Sequence, residues 1–571
     1  MSREQSFLKA LFFGVVAEDM VFPYPEIGPD ERTQTHQRVD ALRRMMESEV
    51  RSNEIDAEGR IPDVVIERLR ELGTFGLMAP RELGGSGASA LSFARVISEV
   101  SSFDASLGLT LVTHQAIAMR ALLSFGTEEQ KQRFVPALAS GERTAAFALT
   151  EESAGTDAGA TRTHAVKEDG HWIINGHKPW VTNGERADLL VLFARTSRMA
   201  EGQKPRLTAF LAERGPGLEI IGRRDLLGLR GAGVARVNAK NLRVPDSAVL
   251  AEPGKGFRIA MEVMTDARVS IASWLFGQIR ALINLTVARV QQRRSFGRAI
   301  GEFPILKNKL SKMLSDAFAV ESMTYLTAGL LDRSVDDYSL ESAICRVAAA
   351  EALWRTANEA MQLAGGSGYL GTLPLERRLR DARGGLVVDG TTETLRCFIA
   401  LSGLRGPGER MSDVEGAIIE PVKGFGLLRS FAVRKVREAM RRERLSRAHS
   451  LLAREAVLFE EGVDGLESAA QRVLREHGRE IPEMQLLQVR IANVVIDLYA
   501  LVACISRTTA AIERRGEAGA QRELDLTMMF AAAARGRIRA NLSRIDHNDD
   551  GMRKLIAART YTDGGYPFDV I

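Results

Sequence analysis

His171-Trp172-Ile173-Ile174-Asn175-Gly176 decides how this chain is divided. An aromatic followed by two β-branched residues and an Asn-Gly step reads as a strand entering a tight turn. Leu189-Leu190-Val191-Leu192-Phe193 and Leu207-Thr208-Ala209-Phe210-Leu211 read as further short strands. Asp-Gly or Asn-Gly steps at 169–170, 175–176 and 183–184 punctuate this stretch. The expectation is a small, mostly β domain over 146–255. Outward from it, the periodicity becomes helical. Leu42, Met45, Met46 and Val50, then Val65, Ile66, Leu69 and Leu72, then Leu91, Ala94, Ile97 and Val100 recur at three- and four-residue spacing. This predicts a helical domain over 1–145. On the other side, long helices over 257–294, 304–332 and 339–365 predict a bundle domain over 256–410. Residues 403–415 read as a linker. Residues 411–571 form a further helical domain, with 486–505 its most apolar helix. The order helical, β, helical, helical argues against a doubly wound nucleotide-binding fold, which alternates strands and helices.

The chain has 571 residues, 45% hydrophobic and 26% charged, so it is too long for one ordinary core and too apolar for disorder. Lys and Arg number 77 against 73 Asp and Glu, and the resulting +4 gives no case for nucleic acid. Cys345, Cys397 and Cys504 are far apart and no Cys-x-x-Cys pair exists. A metal site, an iron–sulfur cluster or a disulfide framework is therefore not expected. An apolar run over 10–17 follows Arg3 and Lys9, but Glu18 and Asp19 come at once. That argues against a signal peptide and for a soluble intracellular protein whose first helix docks on the body.

Four segments hold candidate chemistry. In Phe147-Ala148-Leu149-Thr150-Glu151-Glu152-Ser153-Ala154-Gly155-Thr156-Asp157, a strand end meets small residues and hydroxyls, suited to an anion or a polar ring edge. Lys178-Pro179-Trp180-Val181-Thr182-Asn183-Gly184 sets an aromatic plane and a hydroxyl on one side of an extended segment, as a flat cofactor requires. Arg293-Arg294-Ser295-Phe296-Gly297 places two guanidiniums beside a hydroxyl, suited to a pyrophosphate. The fourth joins Gln362-Leu363-Ala364-Gly365-Gly366-Ser367-Gly368-Tyr369 to the 380–393 run, in which Asp389 stands between Leu386-Val387-Val388 and Gly390. Taken singly, each has an ordinary alternative: a capping loop, a core tryptophan, a solvated arginine pair, a turn-capping aspartate.

Together and in this order, the four segments strongly resemble the acyl-CoA dehydrogenase family. Met20-Val21-Phe22-Pro23-Tyr24-Pro25 and the helical region after 430 resemble its very-long-chain, membrane-associated branch. The resemblance implies an α+β fold: an N-terminal helical domain, a small β-barrel-like domain, a C-terminal four-helix bundle and an additional helical domain. It implies FAD as cofactor. Leu149 and Thr150 would lie against the flavin ring, Thr156 at the cofactor's phosphates, Trp180 near the isoalloxazine and Thr182 close to N5. Arg293, Ser295, Phe296, Gln362 and Gly366 would reach the FAD of a partner subunit in a homodimer. Thr391 and Glu393 match positions on the near side of the cofactor, and Arg268 the arginine that orients the catalytic loop. The implied reaction is α,β-dehydrogenation of a long-chain acyl-CoA to the trans-2-enoyl-CoA. A carboxylate takes the α-proton and the β-hydride goes to the flavin, with electrons leaving through an electron-transfer flavoprotein.

The family's catalytic glutamate falls at Asp389, since Arg380-Asp381-Ala382-Arg383 precedes it and Gly390-Thr391 follows. Another branch of the family carries its base just before the arginine matched by Arg268, where Ala267 and Asp266 stand here. Losing one methylene withdraws the carboxylate by roughly 1 Å, which can cost about 10²-fold in rate. The leading expectation is a working dehydrogenase with Asp389 as base, slow on simple fatty acyl-CoAs. A second reading keeps the fold and the flavin but gives the chain a scaffold or assembly role. From 429 to 447, eight basic residues face only Glu438 and Glu443, a composition suited to an anionic membrane surface or to an ordinary solvated helix. With no transit-like leader, the expected location is cytoplasmic, peripheral on the inner face of the cell membrane.

Overall fold

The computed structural model describes residues 6–196, 206–409 and 445–569. The sheet comprises β1 (Ala145–Ala148), β2 (His164–Glu168), β3 (His171–Val181), β4 (Leu189–Arg195), β5 (Leu207–Glu213), β6 (Leu218–Arg223), β7 (Ala235–Pro245) and β8 (Val249–Leu250). β4 is its hub. β5 runs antiparallel along one side of it, β1 runs parallel along the other, and β2 meets its end at the His164–Arg195 pair. Leu189, Val191 and Phe193 face one way, toward Phe134, Leu138, Ile259 and Val263. Leu190, Leu192 and Ala194 face the other, toward Trp172, Ile174 and Phe210. With both faces covered, β4 is apolar at nearly every position, as its unbroken run of leucines, valine and phenylalanine requires.

The sheet is open, which corrects the barrel-like expectation. Its order is β6-β7-β3-β2-β4-β5-β8 with β1 beside β4, and the end strands β6 and β8 do not pair with each other. β8 has only two residues. The side-chain amide of Gln130 donates to the carbonyls of Ser247 and Val249 at 2.8 and 2.9 Å. Helix Glu128–Ala139 thus caps two carbonyls at the β8 end of the sheet through a side chain. β3 bends at register shifts near Gly176 and Val181. At Gly176 an added Cβ would sit 2.2 Å from Oγ1 of Thr163, so only glycine lets the strands approach there.

Helices Gly256–Gln292, Pro304–Asp332, Ser339–Ala364 and Thr392–Glu409 form the bundle. The first is 37 residues long and joins the layers. Its Ile259 and Val263 pack on the sheet, while Trp274, Leu275, Ile279 and Leu282 enter the large helical core. Residues 403–409, read from sequence as linker, are the end of the fourth helix. Gly403 lies so close to the Phe12 ring that a Cβ would meet it at 2.1 Å. The N-terminal helix Phe7–Leu11 is wholly buried, with Phe7 stacked on Phe459 at 6.5 Å between centroids. Helices Ala453–His477, Gln485–Gly519 and Gln521–Asp546 make the C-terminal layer. Among the described residues, two helices, Gly256–Gln292 and Gln485–Gly519, are long and apolar enough to cross a membrane, but 72% and 78% of their most apolar windows are buried inside the molecule. They read as core helices. The basic stretch singled out at 429–447 lies outside the described residues up to 444. Arg447 itself donates to Asp19 at 3.1 Å and to the carbonyl of Phe22 at 3.0 Å.

Candidate active site

A cavity of about 850 Å³ opens where the sheet meets the long helix and the 386–391 loop. Its sheet side carries Phe147, Leu149, Thr150, Thr156, Trp180 and Thr182. Its helical side carries Leu109, Thr113, Ile117, Met261, Met264 and Arg268, and the loop supplies Val388, Asp389, Gly390 and Thr391. Thr113 and Ile117 lie in a π-helical stretch, Thr113–Met119, a widened turn of the kind found at functional sites.

The sheet wall is set by a buried ion pair. Lys178 Nζ donates to Glu151 Oε1 and to the carbonyl of Leu149, each at 2.8 Å, with both side chains nearly inaccessible. Burial alone brings the Lys178 ammonium down to about 8, against the pull of Glu151. Burial works against the Glu151 charge too. There Lys178 and the amides of Arg162 and Thr163, at 2.7 and 3.0 Å, outweigh it and hold the carboxyl below its ordinary range. The pair fixes the 149–151 turn, and so Leu149 and Thr150, against the cavity. Arg224 lies over the Trp180 ring at 5.6 Å and donates to the carbonyl of Pro179 at 3.0 Å. Asn183, with φ of 62°, lies in the turn after β3 and donates to the carbonyl of Thr110 at 2.9 Å. Thr150, Thr156 and Thr182 line the cavity, and their hydroxyls make no hydrogen bond within the described residues. Three free hydroxyls beside a half-exposed tryptophan fit the polar edge and flat face of a flavin.

Asp389 is the one carboxylate among the described residues lining this cavity. Its side chain is 6% exposed, and Arg268 Nε donates to Oδ2 at 3.0 Å. Its backbone is left-handed, with φ of 61°, and Gly390 follows at 85°. Burial raises the Asp389 pKa, and the charges of Arg268 and Arg346 oppose that rise. Asp266, the neighbour of the alternative base position, turns away. It accepts from Arg120 at 2.6 Å and from the Tyr338 hydroxyl, in a separate cavity of about 410 Å³.

Of the residues singled out from sequence, Leu149, Thr150, Thr156, Trp180, Thr182, Arg268, Asp389 and Thr391 come together on this cavity. Arg293, Ser295, Phe296, Gln362, Gly366 and Glu393 do not line it. The first three lie on the 293–299 hairpin, where Phe296 is 96% exposed, and Gln362, Gly366 and Glu393 are exposed elsewhere on the bundle. The sequence reading missed the role of the Lys178–Glu151 pair and missed Arg346 altogether. The available signal for Arg346 was a lone cation within Ala343-Ile344-Cys345-Arg346-Val347-Ala348-Ala349-Ala350.

Comparison with known proteins accounts for most of the chain. Models of the acyl-CoA dehydrogenase N-terminal, middle and C-terminal domains match residues 33–142, 146–242 and 254–404. The ACAD9/ACADV C-terminal domain matches 450–565. The human mitochondrial very long-chain specific acyl-CoA dehydrogenase is 34% identical over 558 residues, 95% of this chain and 85% of that protein. An acyl-CoA dehydrogenase from Bacillus anthracis, solved with FAD, shares the fold at a TM-score of 0.80 and 23% identity, over 98% of this chain and 96% of that one. A chain solved in work on the electron transferring flavoprotein of Acidaminococcus fermentans matches at a TM-score of 0.63 and 30% identity, over 66% of this chain and 99% of that one. The cytoplasmic expectation is corrected by these findings, because the full-length relatives from human, macaque, cattle, rat and mouse are all mitochondrial by name. A set of family models that runs from residue 33 to residue 565, and a relative sharing a third of its residues along nearly the whole length, place the chain in the acyl-CoA dehydrogenase family, as an enzyme that uses FAD.

Proposed function

We propose that the chain dehydrogenates long-chain acyl-CoA at the α,β bond, with Asp389 as the base. One observation carries this reading: among the described residues, Asp389 is the sole carboxylate on a cavity that also holds the free hydroxyls and the tryptophan. Its burial favours the uncharged form, which makes the carboxylate a stronger base once ionised, while Arg268 keeps ionisation within reach. FAD, when bound, supplies the acceptor for the β-hydride. The chain's own part is to hold the acyl α-carbon against Asp389 and to exclude water, with Leu109, Ile117, Met261 and Met264 as the apolar wall for the tail. Long-chain preference is supported by the relatives that match along the whole chain, which are named very long-chain specific.

An electron-transfer flavoprotein is the electron acceptor in this reading, supported by the Acidaminococcus fermentans likeness. A homodimer is supported by the apolar side chains Phe296, Tyr369, Leu370 and Ile305, which are 96%, 85%, 54% and 67% exposed. Binding to an anionic bilayer rests on the charge of 429–447 alone, and vesicle flotation with those charges neutralised tests it.

The base is tested by mixing the FAD-loaded protein anaerobically with a panel of acyl-CoAs and following flavin bleaching. Asp389→Asn is expected to lose at least about 10²-fold in the bleaching rate, the scale of a removed general base. Bleaching at the parent rate in that variant overturns the assignment.

A further inference from the structure

Arg346 stands midway along helix Ser339–Ala364 and is wholly inaccessible. Its Nη2 donates to the carbonyl of Gly390 at 2.7 Å and to the carbonyl of Val388. Those are the two carbonyls that flank Asp389. Its Nε and Nη1 have no hydrogen-bond partner among the described residues. A buried guanidinium with no direct salt bridge among the described residues is a poor way to stabilise a fold, because desolvation is compensated only in part. Burial accordingly lowers the Arg346 pKa to about 10.

The backbone it grips explains its place. Two successive residues, Asp389 and Gly390, are left-handed, at φ of 61° and 85°. For aspartate that conformation is uncommon, and it persists only where the surroundings over-determine it. Aspartate has one side-chain torsion fewer than glutamate. Its carboxylate therefore goes where the loop puts the Cα–Cβ bond, and a displacement on the order of 1 Å costs about 10²-fold in rate. Three further groups share the electrostatic surroundings. Arg268, from the long helix, donates to Asp389 directly at 3.0 Å. Glu393, at the start of helix Thr392–Glu409, and Glu351, one turn beyond Arg346, act on the Arg346 charge, with Glu351 held by Arg396 at 2.6 Å.

We infer that Arg346 is the positioning residue of the catalytic loop: it clamps the carbonyls on both sides of Asp389 and sets the reach of its carboxylate from behind, while Arg268 holds the carboxylate from the cavity side. This rests on the reading of Asp389 as base. Arg346 touches neither the cavity nor a reacting atom, so it acts through Asp389 alone. Its charge also favours the ionised carboxylate.

The test uses the FAD-loaded protein and the anaerobic bleaching assay across pH. Arg346→Met, which keeps the length and loses the charge and the donors, is expected to slow bleaching about 10²-fold. Its acid limb should move up by about one pH unit, since a neighbouring cation is lost. The acyl-CoA concentration giving half-maximal rate should change less than about threefold, because substrate contacts are untouched. Arg346→Lys keeps the charge but not the two-carbonyl grip. It should hold the acid limb in place and recover only part of the rate. A parent rate and parent acid limb in Arg346→Met overturn the inference. A slow Arg346→Met with an unmoved acid limb also overturns it, since that is what general loosening of the bundle would give. Should Arg346→Met fail to take up FAD, Arg346→Lys decides alone, and a parent rate there excludes the clamp. Asp389→Asn in the same assay separates the two readings. Full bleaching in that variant removes the base, whereas its loss beside a normal Arg346→Met removes only the clamp.

Discussion

The seam around Asp389 and the C-terminal helical layer are built from opposite materials. At the seam, Arg268, Arg346, Asp389, Lys178 and Glu151 are all buried charged groups, two of them arginines converging on one carboxylate loop. In the C-terminal layer the interior is Phe459, Val463, Leu498, Tyr499, Leu501 and Ile505, each at most 2% exposed. Arg472 and Asp546 pair at its rim, each 39% exposed, while Arg490 with Asp550 and Asp497 with Arg537 reach further in. Apolar packing contributes stability without choosing among loop conformations. Buried charges cost stability and select one arrangement. What sets the seam apart is that several buried charged groups converge on one loop there.

The contrast breaks first if the apolar layer proves necessary for the chemistry. Phe459 is fully buried and stacks on Phe7 of the N-terminal helix. Phe459→Ala is expected to cost about 3–5 kcal/mol in denaturant unfolding, the range for deleting a core phenylalanine. The anaerobic bleaching rate of the folded protein should stay within about twofold of the parent, since the ring touches neither the cavity nor the loop. A fall in rate matching the fall in stability would join the two regions into one unit.

Burial of charge at the bundle should show as a pH dependence of stability. Glu341 lies on the same helix as Arg346 and is wholly buried, accepting from the Ser6 hydroxyl at 2.8 Å and the Leu8 amide at 3.0 Å. Burial, with some repulsion from Asp337, raises its carboxyl from 4.5 to about 7. The folded state then holds the proton more tightly than the unfolded chain. The stability from Glu341 is fully present below pH 4.5 and is lost as pH rises through about 7. The window is on the order of 3 kcal/mol. Glu341→Gln, a neutral mimic of the protonated acid, should match the parent near pH 5 and exceed it near pH 8 in urea unfolding. Equal pH slopes in the two proteins would show that the site does not titrate in this window.

How much of this was legible in the sequence follows from how local each signal is. Trp180 with Thr182, and Asp389 before Gly390, carry their chemistry within a few residues, and the cavity indeed gathers them. The cores of β3, β4 and β5 and the long bundle helices were legible from period, as hydrophobic alternation and three-four spacing are properties of the segment itself, although β3 runs on through the Asn175-Gly176 step read as a turn. Whether the sheet closes was not, because it depends on β6 and β8 finding or missing each other, and on Gln130, more than 110 residues before the carbonyls it caps. Arg346 was invisible for the same reason. Its partners are main-chain carbonyls 42 and 44 residues away, and a carbonyl leaves no mark in a sequence. Phe296 and Gln362 could be singled out by motif, but both are exposed on this chain, away from the cavity.

The smallest expected effect sharpens the contrast from its other side. If buried charge is what makes the seam sensitive, then charge at the rim of the C-terminal layer should be nearly free to remove. Arg472 Nε lies 3.0 Å from Asp546 Oδ1 across the face between helices Ala453–His477 and Gln521–Asp546. Solvent screens a pair this open, and holding two side chains in one geometry costs entropy, so such pairs contribute about 0–1 kcal/mol. Asp546→Ala should therefore shift unfolding by less than about 1 kcal/mol, and the shift should shrink further in 1 M salt, where the Debye length is about 3 Å. A loss of several kcal/mol that persists in salt would mean that the layer, too, depends on a specific charge, and the division between packing for stability and charge for conformation would fail there.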